Sequence, residues 1–317
     1  SRAPAMTQNF CAIDNLQDSL QALLRDARQV KYEGKVANYI PALAEVPADK
    51  LAIAVATLDG KICAAGDSTE PFSIQSLSKM YALVMAMQLQ GDALWQRVRM
   101  EPSGQPFNSI VQLEWEQGIP RNPVINAGAI VVSDVLTSHY SASKNTFLMF
   151  IRRLAQTEQI FANAKVYASE QEHGSRNAAL AYLMKSFDNI KSEVPAVLAQ
   201  YFHQCSVEMS CQQLARSWLF LANRGVDPVT DQQICSRKDA QRVNAILSTS
   251  GMYDQSGEFA FTVGLPAKSG VGGGIVAIVP NYGVIASWSP PLNSFGNSCL
   301  SMYLIRRLAE ELGLSVY

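Results

Sequence analysis

A serine hydroxyl attacks a carbonyl only when a base takes its proton, and a lysine can be that base only where burial brings its pKa toward neutrality. The stretch Phe72–Ser73–Ile74–Gln75–Ser76–Leu77–Ser78–Lys79 offers such a pair, with Ser76 and Lys79 spaced S-x-x-K at the head of a predicted helix that continues through MYALVMAMQLQ. Positions i and i+3 share a helix face, so hydroxyl and amine come within reach of each other. Phe72, Ile74, Leu77, Met80 and Tyr81 supply the apolar surroundings that a desolvated lysine needs. The helix N-terminus also directs backbone N–H groups at the serine, which favours negative charge developing there. The chemistry this suggests is acyl transfer. The spacing alone is a weak signal, since a chain of this size holds roughly one S-x-x-K by chance. A second one, Ser141 to Lys144 in SHYSASKNTF, reads as a polar helix start. The bland reading of Ser76 and Lys79 is a capping serine beside a solvated lysine.

A second group of residues weighs against the bland reading. Lys268–Ser269–Gly270 is the one K-S-G of the chain, on a predicted strand, and penicillin-recognising serine enzymes pair S-x-x-K with K-[ST]-G. The N–H groups of Ser76 and of a residue just past this triplet could form an oxyanion hole. The glycines that follow (Gly270, Gly272, Gly273, Gly274) could instead suggest a phosphate loop. Ile275 occupies the third glycine position of that motif, however, and a strand follows where a helix should. Close backbone packing at a bulge is the structural alternative.

The elements that must position these residues follow from periodicity. Leu16, Leu20, Leu23, Leu24, Ala27 and Val30 fall on one face of a first helix. LAIAVATL and KICAAGD, joined by Asp59–Gly60, read as a β-hairpin. Helical patterns follow near residues 123–138, 144–157, 173–187, 193–204, 210–224 and 239–249, with Ser210/Gln213 and Ser236/Asp239 as capping boxes and Gly251 as a stop. The Pro- and Gly-bounded excursion Glu101–Arg121 is long enough for a functional loop, expected to be mobile near the cleft. EFAFTVGLPAKSG, GIVAIVP and YGVIASWSP read as three β-rich runs. A closing helix spans Asn297 to about Leu312. Both ends of the chain therefore contribute to one antiparallel sheet, and the helical block between them is an insertion. The expected division is a single catalytic domain, residues 1–317, with a sheet lobe at about 1–75 and 251–317 and a helical lobe at about 76–250. The Ser76 helix leaves the sheet for the helices, so its N-terminus should lie in the cleft between the lobes.

Composition excludes several classes. The chain has 317 residues, 48% of them hydrophobic, and a formal net charge of -1 without long charged runs, which argues against nucleic acid or an anionic membrane as partner. The six cysteines are scattered without a C-x-x-C, and the three histidines form no H-x-x-x-H, so a His- or Cys-based metal site is not expected. No apolar run approaches the ~18 residues of a membrane span, and SRAPAMTQNF lacks a signal-peptide core, so a cytoplasmic protein is expected.

FSIQSLSK, EPSGQPFNS, NPVINAGA, Ser169–Glu170 with Asn177, YFHQCSVEMSC, SGMYDQSGEFAFTVGLPAKSGVGGGI and WSPPLNSFGN together closely resemble the serine-dependent glutaminases, from about Lys35 to Tyr317. The resemblance implies an α+β, β-lactamase-like fold: a five-stranded antiparallel sheet flanked by N- and C-terminal helices, with an inserted helical lobe. It implies hydrolysis of L-glutamine to L-glutamate and ammonia without a cofactor, in homodimers or homotetramers. By the same resemblance Ser76 is the nucleophile and Lys79 its base. Tyr253 is the proton-relaying tyrosine beside them, and Tyr39 the tyrosine over the pocket. Gln75, Asn126, Glu170, Asn177, Tyr201 and Val271 match the substrate-binding set. The residue chemistry agrees: a free amino acid needs an acid for its ammonium, here Glu170, and neutral dipoles such as Asn126, Asn177 and Tyr201 for the rest. Val271 would act through its backbone N–H. A β-lactam or ester hydrolase of the same architecture is weakened by the absence of an S-D-N triplet. A non-catalytic amino-acid sensor is weakened by the intact Ser76, Lys79 and Tyr253.

Overall fold

The computed structural model describes residues 16–104 and 109–317. Cys11, the opening SRAPAMTQNF and residues 105–108 of the EPSGQPFNS motif lie outside the described residues.

The apolar runs of both chain ends pair into one five-stranded antiparallel sheet. Its strands are β1 (Ala52–Thr57), β2 (Ile62–Gly66), β6 (Ala267–Ser269), β7 (Gly274–Val279) and β8 (Gly283–Trp288), in the order β2-β1-β8-β7-β6. The Asp59–Gly60 turn sets the hairpin register, with Val55 opposite Cys63. On its other side Val55 faces Ile285, which joins the two ends of the chain at the centre of the sheet. Alternation does the sorting. Ile53, Val55, Ile275, Ala277 and Ile285 pack with Leu20 and Leu24 of the first helix (Leu16–Ala27) and Leu304 and Leu308 of the last (Cys299–Leu312). Ala52, Ala54, Ala56, Val276 and Ala286 face the other way, into the core that also holds Leu214 and Trp218. Both faces are covered, so the strands read as continuous apolar runs rather than alternating ones. Each fully buried aliphatic side chain contributes about 1.5–3 kcal/mol.

On that second face lies the helical block, centred on Ser78–Gln90. This helix is buried at every position from Ser78 to Met87. A helix apolar all round has to be enclosed by others, and Asn126–His139, Ser143–Ala155 and Arg237–Ser250 enclose it. The Ser210/Gln213 capping box is fully formed. At Ser236 the hydroxyl accepts from the Asp239 N–H as expected.

Three features depart from the periodicity. EFAFT is the end of a helix, Ser256–Thr262, and only Ala267–Ser269 of that run is strand. A second small sheet, β3 (Phe72–Ser73), β5 (Val207–Met209) and β4 (Phe161–Ala162) in the order β3-β5-β4, ties the approach to Ser76 to the helical block. Strands of two or three residues are too short to show a period. The helix Ala164–Glu172 is also absent from the periodicity reading, because only Val166 and Glu170 of it are buried.

Candidate active site

The turn that presents Ser76 is built by a change of partners. Phe72 and Ser73 pair with Met209 and Glu208, and the Ile74 N–H still donates to the Val207 carbonyl. Gln75 then takes a left-handed conformation (φ 48°), and the chain enters a 3₁₀ turn, Gln75–Leu77, that leads into the helix at Ser78. A residue with a Cβ at such an angle is strained by about 1–3 kcal/mol. Tyr253 holds the other left-handed backbone of the site (φ 52°). Both strained residues flank the nucleophile.

Lys79 is 1% exposed, and its ammonium donates to the Val124 carbonyl (3.2 Å) and to Asn126 Oδ1 (2.9 Å). Neither partner carries a charge, so burial pushes the amine down to about 8. Lys268 is 0% exposed, and its Nζ donates to the Gly251 (3.1 Å) and Ser269 (2.6 Å) carbonyls. Burial, and secondarily Lys79, hold it well below the ordinary lysine value. Its Nζ lies 4.3 Å from the Tyr253 ring centre. Tyr253 is hydrogen-bonded to the Ser76 side chain, and burial pushes its phenol up to about 12. It therefore stays protonated at neutral pH.

The K-S-G triplet closes the site from the sheet side. Ser269 N–H donates to the Gly251 carbonyl, and Gly270 N–H to the Gly274 carbonyl, which fixes the turn that carries Val271. A Cβ at Gly270 would lie 2.8 Å from the Ile74 carbonyl oxygen, and one at Gly272 would lie 2.2 Å from that of Ser73. These glycines let the sheet turn seat directly on the nucleophile turn, which is the close-packing reading and not a phosphate loop.

Opposite the nucleophile, a cavity of about 280 Å³ is lined by Tyr39, Gln75, Ser76, Asn126, Glu170, Asn177, Tyr201, Tyr253 and Val271, together with His173, Arg176 and Cys205. Glu170 is 5% exposed. Burial raises its carboxyl pKa, while hydrogen bonds with Tyr39 and Gln75 oppose the rise. The Tyr39 hydroxyl lies 2.6 Å from Glu170 Oε1 and 3.0 Å from Gln75 Oε1. Although Tyr39 is 48% exposed overall, burial of its hydroxyl and the nearby Glu170 raise its pKa well above the usual phenol value. The Tyr39 segment and the Glu170 helix are held together by Ile40, Leu43 and Val166. Asn126 Nδ2 donates to Asn177 Oδ1 (3.2 Å), so one amide bridges the lysine and the outer wall. Burial also raises the Tyr201 phenol well above its usual value.

The structure thus gathers around one point the residues that the resemblance assigns to the site, with the Lys268–Ser269–Gly270 triplet. Lys79, Lys268, Ser269 and Gly270 form the layer behind the cavity, and the rest line it. Sequence reasoning missed Cys205, His173 and Arg176. The first had a signal, since Tyr201 and Cys205 are i and i+4 on one helix. Burial pushes its thiol up to about 12. None of the described residues of Glu101–Arg121 lines the cavity. That stretch carries a helix, Ile110–Trp115, and its ends are joined by the Glu101 N–H to Arg121 carbonyl bond.

Fold and site together define a β-lactamase-like α+β protein with a buried lysine one turn past a cavity-lining serine. The family model for glutaminase matches residues 34–317. A glutaminase of Cronobacter sakazakii is 54% identical over 299 residues, 94% of this chain and 97% of that protein. A Bacillus glutaminase structure superposes with a TM-score of 0.85 at 32% identity, over 95% of this chain and 99% of that one. Mglu in its glutamate form superposes at 0.89 with 32% identity, over 95% of this chain and 69% of that one. The chain belongs to the glutaminase family and is an enzyme. No helix among the described residues is long and apolar enough to cross a membrane.

Proposed function

We propose that this enzyme hydrolyses the side-chain amide of L-glutamine to L-glutamate and ammonia through an acyl-enzyme on Ser76, with Lys79 as general base. The observation that carries the reading is the environment of Lys79. A neutral amine has two N–H bonds and one lone pair. The Val124 carbonyl and Asn126 Oδ1 accept the two hydrogens, which leaves the lone pair free to take up a proton. With its pKa at about 8, a useful fraction of the amine is neutral near neutrality.

Ser76 Oγ attacks the side-chain amide carbon as its proton passes to Lys79. The resulting oxyanion is met by the backbone N–H groups of Ser76 and Val271. Tyr253 donates its phenolic proton to the amide nitrogen and is reprotonated from Lys79. The C–N bond breaks and ammonia leaves. Water then attacks the γ-glutamyl ester and gives a proton to the base, and the regained Ser76 hydroxyl releases glutamate. At the other end of the cavity Glu170 takes the α-ammonium, worth about 1.5–3 kcal/mol as a charge-assisted hydrogen bond. Asn126, Asn177, Tyr201 and Gln75 meet the remaining polar atoms. Among the described residues the buried Glu170 carboxyl forms no ion pair, and the substrate ammonium would supply one.

The site draws on both the sheet and the helical block, so the whole chain acts as a single catalytic domain in this reading. A cytoplasmic setting is supported by five free cysteines among the described residues, as expected in a reducing compartment. Assembly into homodimers or homotetramers rests on the family resemblance, and light scattering on the purified protein tests it. The test of the activity is release of glutamate and ammonia from L-glutamine by the intact protein and by Ser76→Ala. Turnover that disappears in the variant supports the reading. Turnover that persists moves the chemistry away from Ser76, and binding without turnover in either protein favours a sensor.

A further inference from the structure

We propose that Ser73 is a positioning residue that fixes the amide orientation of Gln75 and thereby sets how strongly the Glu170 end of the cavity holds the substrate ammonium. The proposal rests on the glutamine reading above. Ser73 is 6% exposed on β3 and does not line the substrate cavity. It lines a separate cavity on the far side of that wall, with Phe72, Gly272 and Trp288.

The argument is one of counting protons. A serine hydroxyl has one proton to give and lone pairs to receive. Ser73 Oγ donates to the Cys205 carbonyl at 3.0 Å. Its proton is then committed, so toward Gln75 it presents only a lone pair. The Gln75 side chain, 2.9 Å away, must face it with the Nε2 amine. The amide oxygen is thereby turned to Tyr39, whose hydroxyl lies 3.0 Å from Oε1. Tyr39 also has a single proton, and its oxygen lies 2.6 Å from Glu170 Oε1. Gln75 Oε1 and Glu170 therefore share that proton, and the bond from Tyr39 helps to keep the carboxylate in the charged form that the ammonium needs. Gln75 has a second tie to the same carboxylate, through its hydrogen bond to Glu170. Without Ser73 the Nε2 amine keeps only its bond to Glu170, and the flipped orientation becomes accessible. In a flipped amide Oε1 would face the Glu170 carboxylate in place of the Nε2 donor, which removes a hydrogen bond that keeps the carboxylate charged and weakens the hold on the ammonium.

Steady-state kinetics on the intact protein test this with Ser73→Ala, Ser73→Cys and Ser73→Thr. The alanine removes the hydroxyl, the cysteine keeps the size with a poor hydrogen-bonding group, and the threonine keeps the hydroxyl, with room for its methyl toward the far cavity. Loss of one buried orienting hydrogen bond predicts a rise in KM for glutamine of roughly five- to twenty-fold in the alanine and cysteine variants. The kcat should stay within about three-fold, and the threonine variant should return KM to near the unsubstituted value. With 5-amino-5-oxopentanoate, which is glutamine without its α-amine, the unsubstituted and cysteine proteins should have equal kcat/KM. Should the alanine variant fail to fold, the cysteine–threonine contrast makes the same test. An unchanged KM in the cysteine variant, an equal loss in kcat, no recovery with threonine, or the same loss with the amine-free substrate would each overturn the role of Ser73 and leave the glutaminase reading standing. Absence of glutamine turnover in the unsubstituted protein would overturn that reading, and this inference with it.

Discussion

The two ends of the substrate cavity hold their charges by opposite means. At the nucleophile end Lys79 and Lys268 are sealed behind the cavity, and their hydrogen-bond partners among the described residues are neutral carbonyl or amide oxygens. Burial acts there almost unopposed, and both amines are driven toward the neutral form. At the recognition end Glu170 is nearly as buried, but Tyr39 and Gln75 oppose the desolvation with hydrogen bonds, and the rim opens to solvent at Tyr39, His173 and Arg176. One end is built to lose a charge and the other to keep one. A base needs a lone pair, whereas a receptor for an ammonium needs a carboxylate.

Substitutions at the two ends should therefore separate in kinetics. The largest effect is expected from Lys79→Met, which keeps the length and apolar fit but removes the base. Its kcat with glutamine should fall by about 10²–10⁴-fold with KM little changed. A comparable loss in KM alone would place Lys79 at the wrong end. Next comes Glu170→Gln, for which KM should rise by roughly ten- to a hundred-fold with a much smaller change in kcat. If kcat fell as far as it does in Lys79→Met, the division of the cavity would not hold.

The pH dependence sharpens the same contrast. Lys79 is protonated below about 8, so kcat should climb as pH rises through that value and level off above it. Burial raises the Glu170 carboxyl pKa, so the group protonates as pH falls, and KM should rise on the acid side. Each slope points the same way in rate at low substrate, but they belong to different parameters, and Glu170→Gln should remove only the KM slope. The smallest effect is expected at the rim. Arg176 has no ion-pair partner among the described residues and is exposed. Arg176→Gln should raise KM by about three-fold or less, and the difference should shrink in high salt.

How much of this was legible in the sequence differs by element. The hairpin at Asp59–Gly60 and the capping box at Ser210 and Gln213 depend on neighbours within one turn, and both stand where the residues placed them. EFAFT was misread because Phe259 and Phe261 alternate as strand residues do, while in the helix Phe259 is buried and Phe261 is 92% exposed. The Glu170 helix was missed for the converse reason: it is mostly exposed, and a helix with little to bury shows no period. Among the site residues, the resemblance to the family named Glu170, Asn177 and Tyr39, which alone would each read as surface or core residues.

The sequence by itself determined the sheet, the central apolar helix and the placing of Ser76 at its start, because period, turn chemistry and propensity are local properties. It also determined the family, because long motifs in a fixed order carry that information. Only the tertiary structure decided that Lys79 and Lys268 are both desolvated, that Gln75 and Tyr253 are left-handed, and that Tyr39 meets Glu170 across 131 positions of chain. A pKa depends on what surrounds a group in space, and an amide's orientation on which single proton its neighbour has left to give; neither quantity is defined until the distant segments have packed.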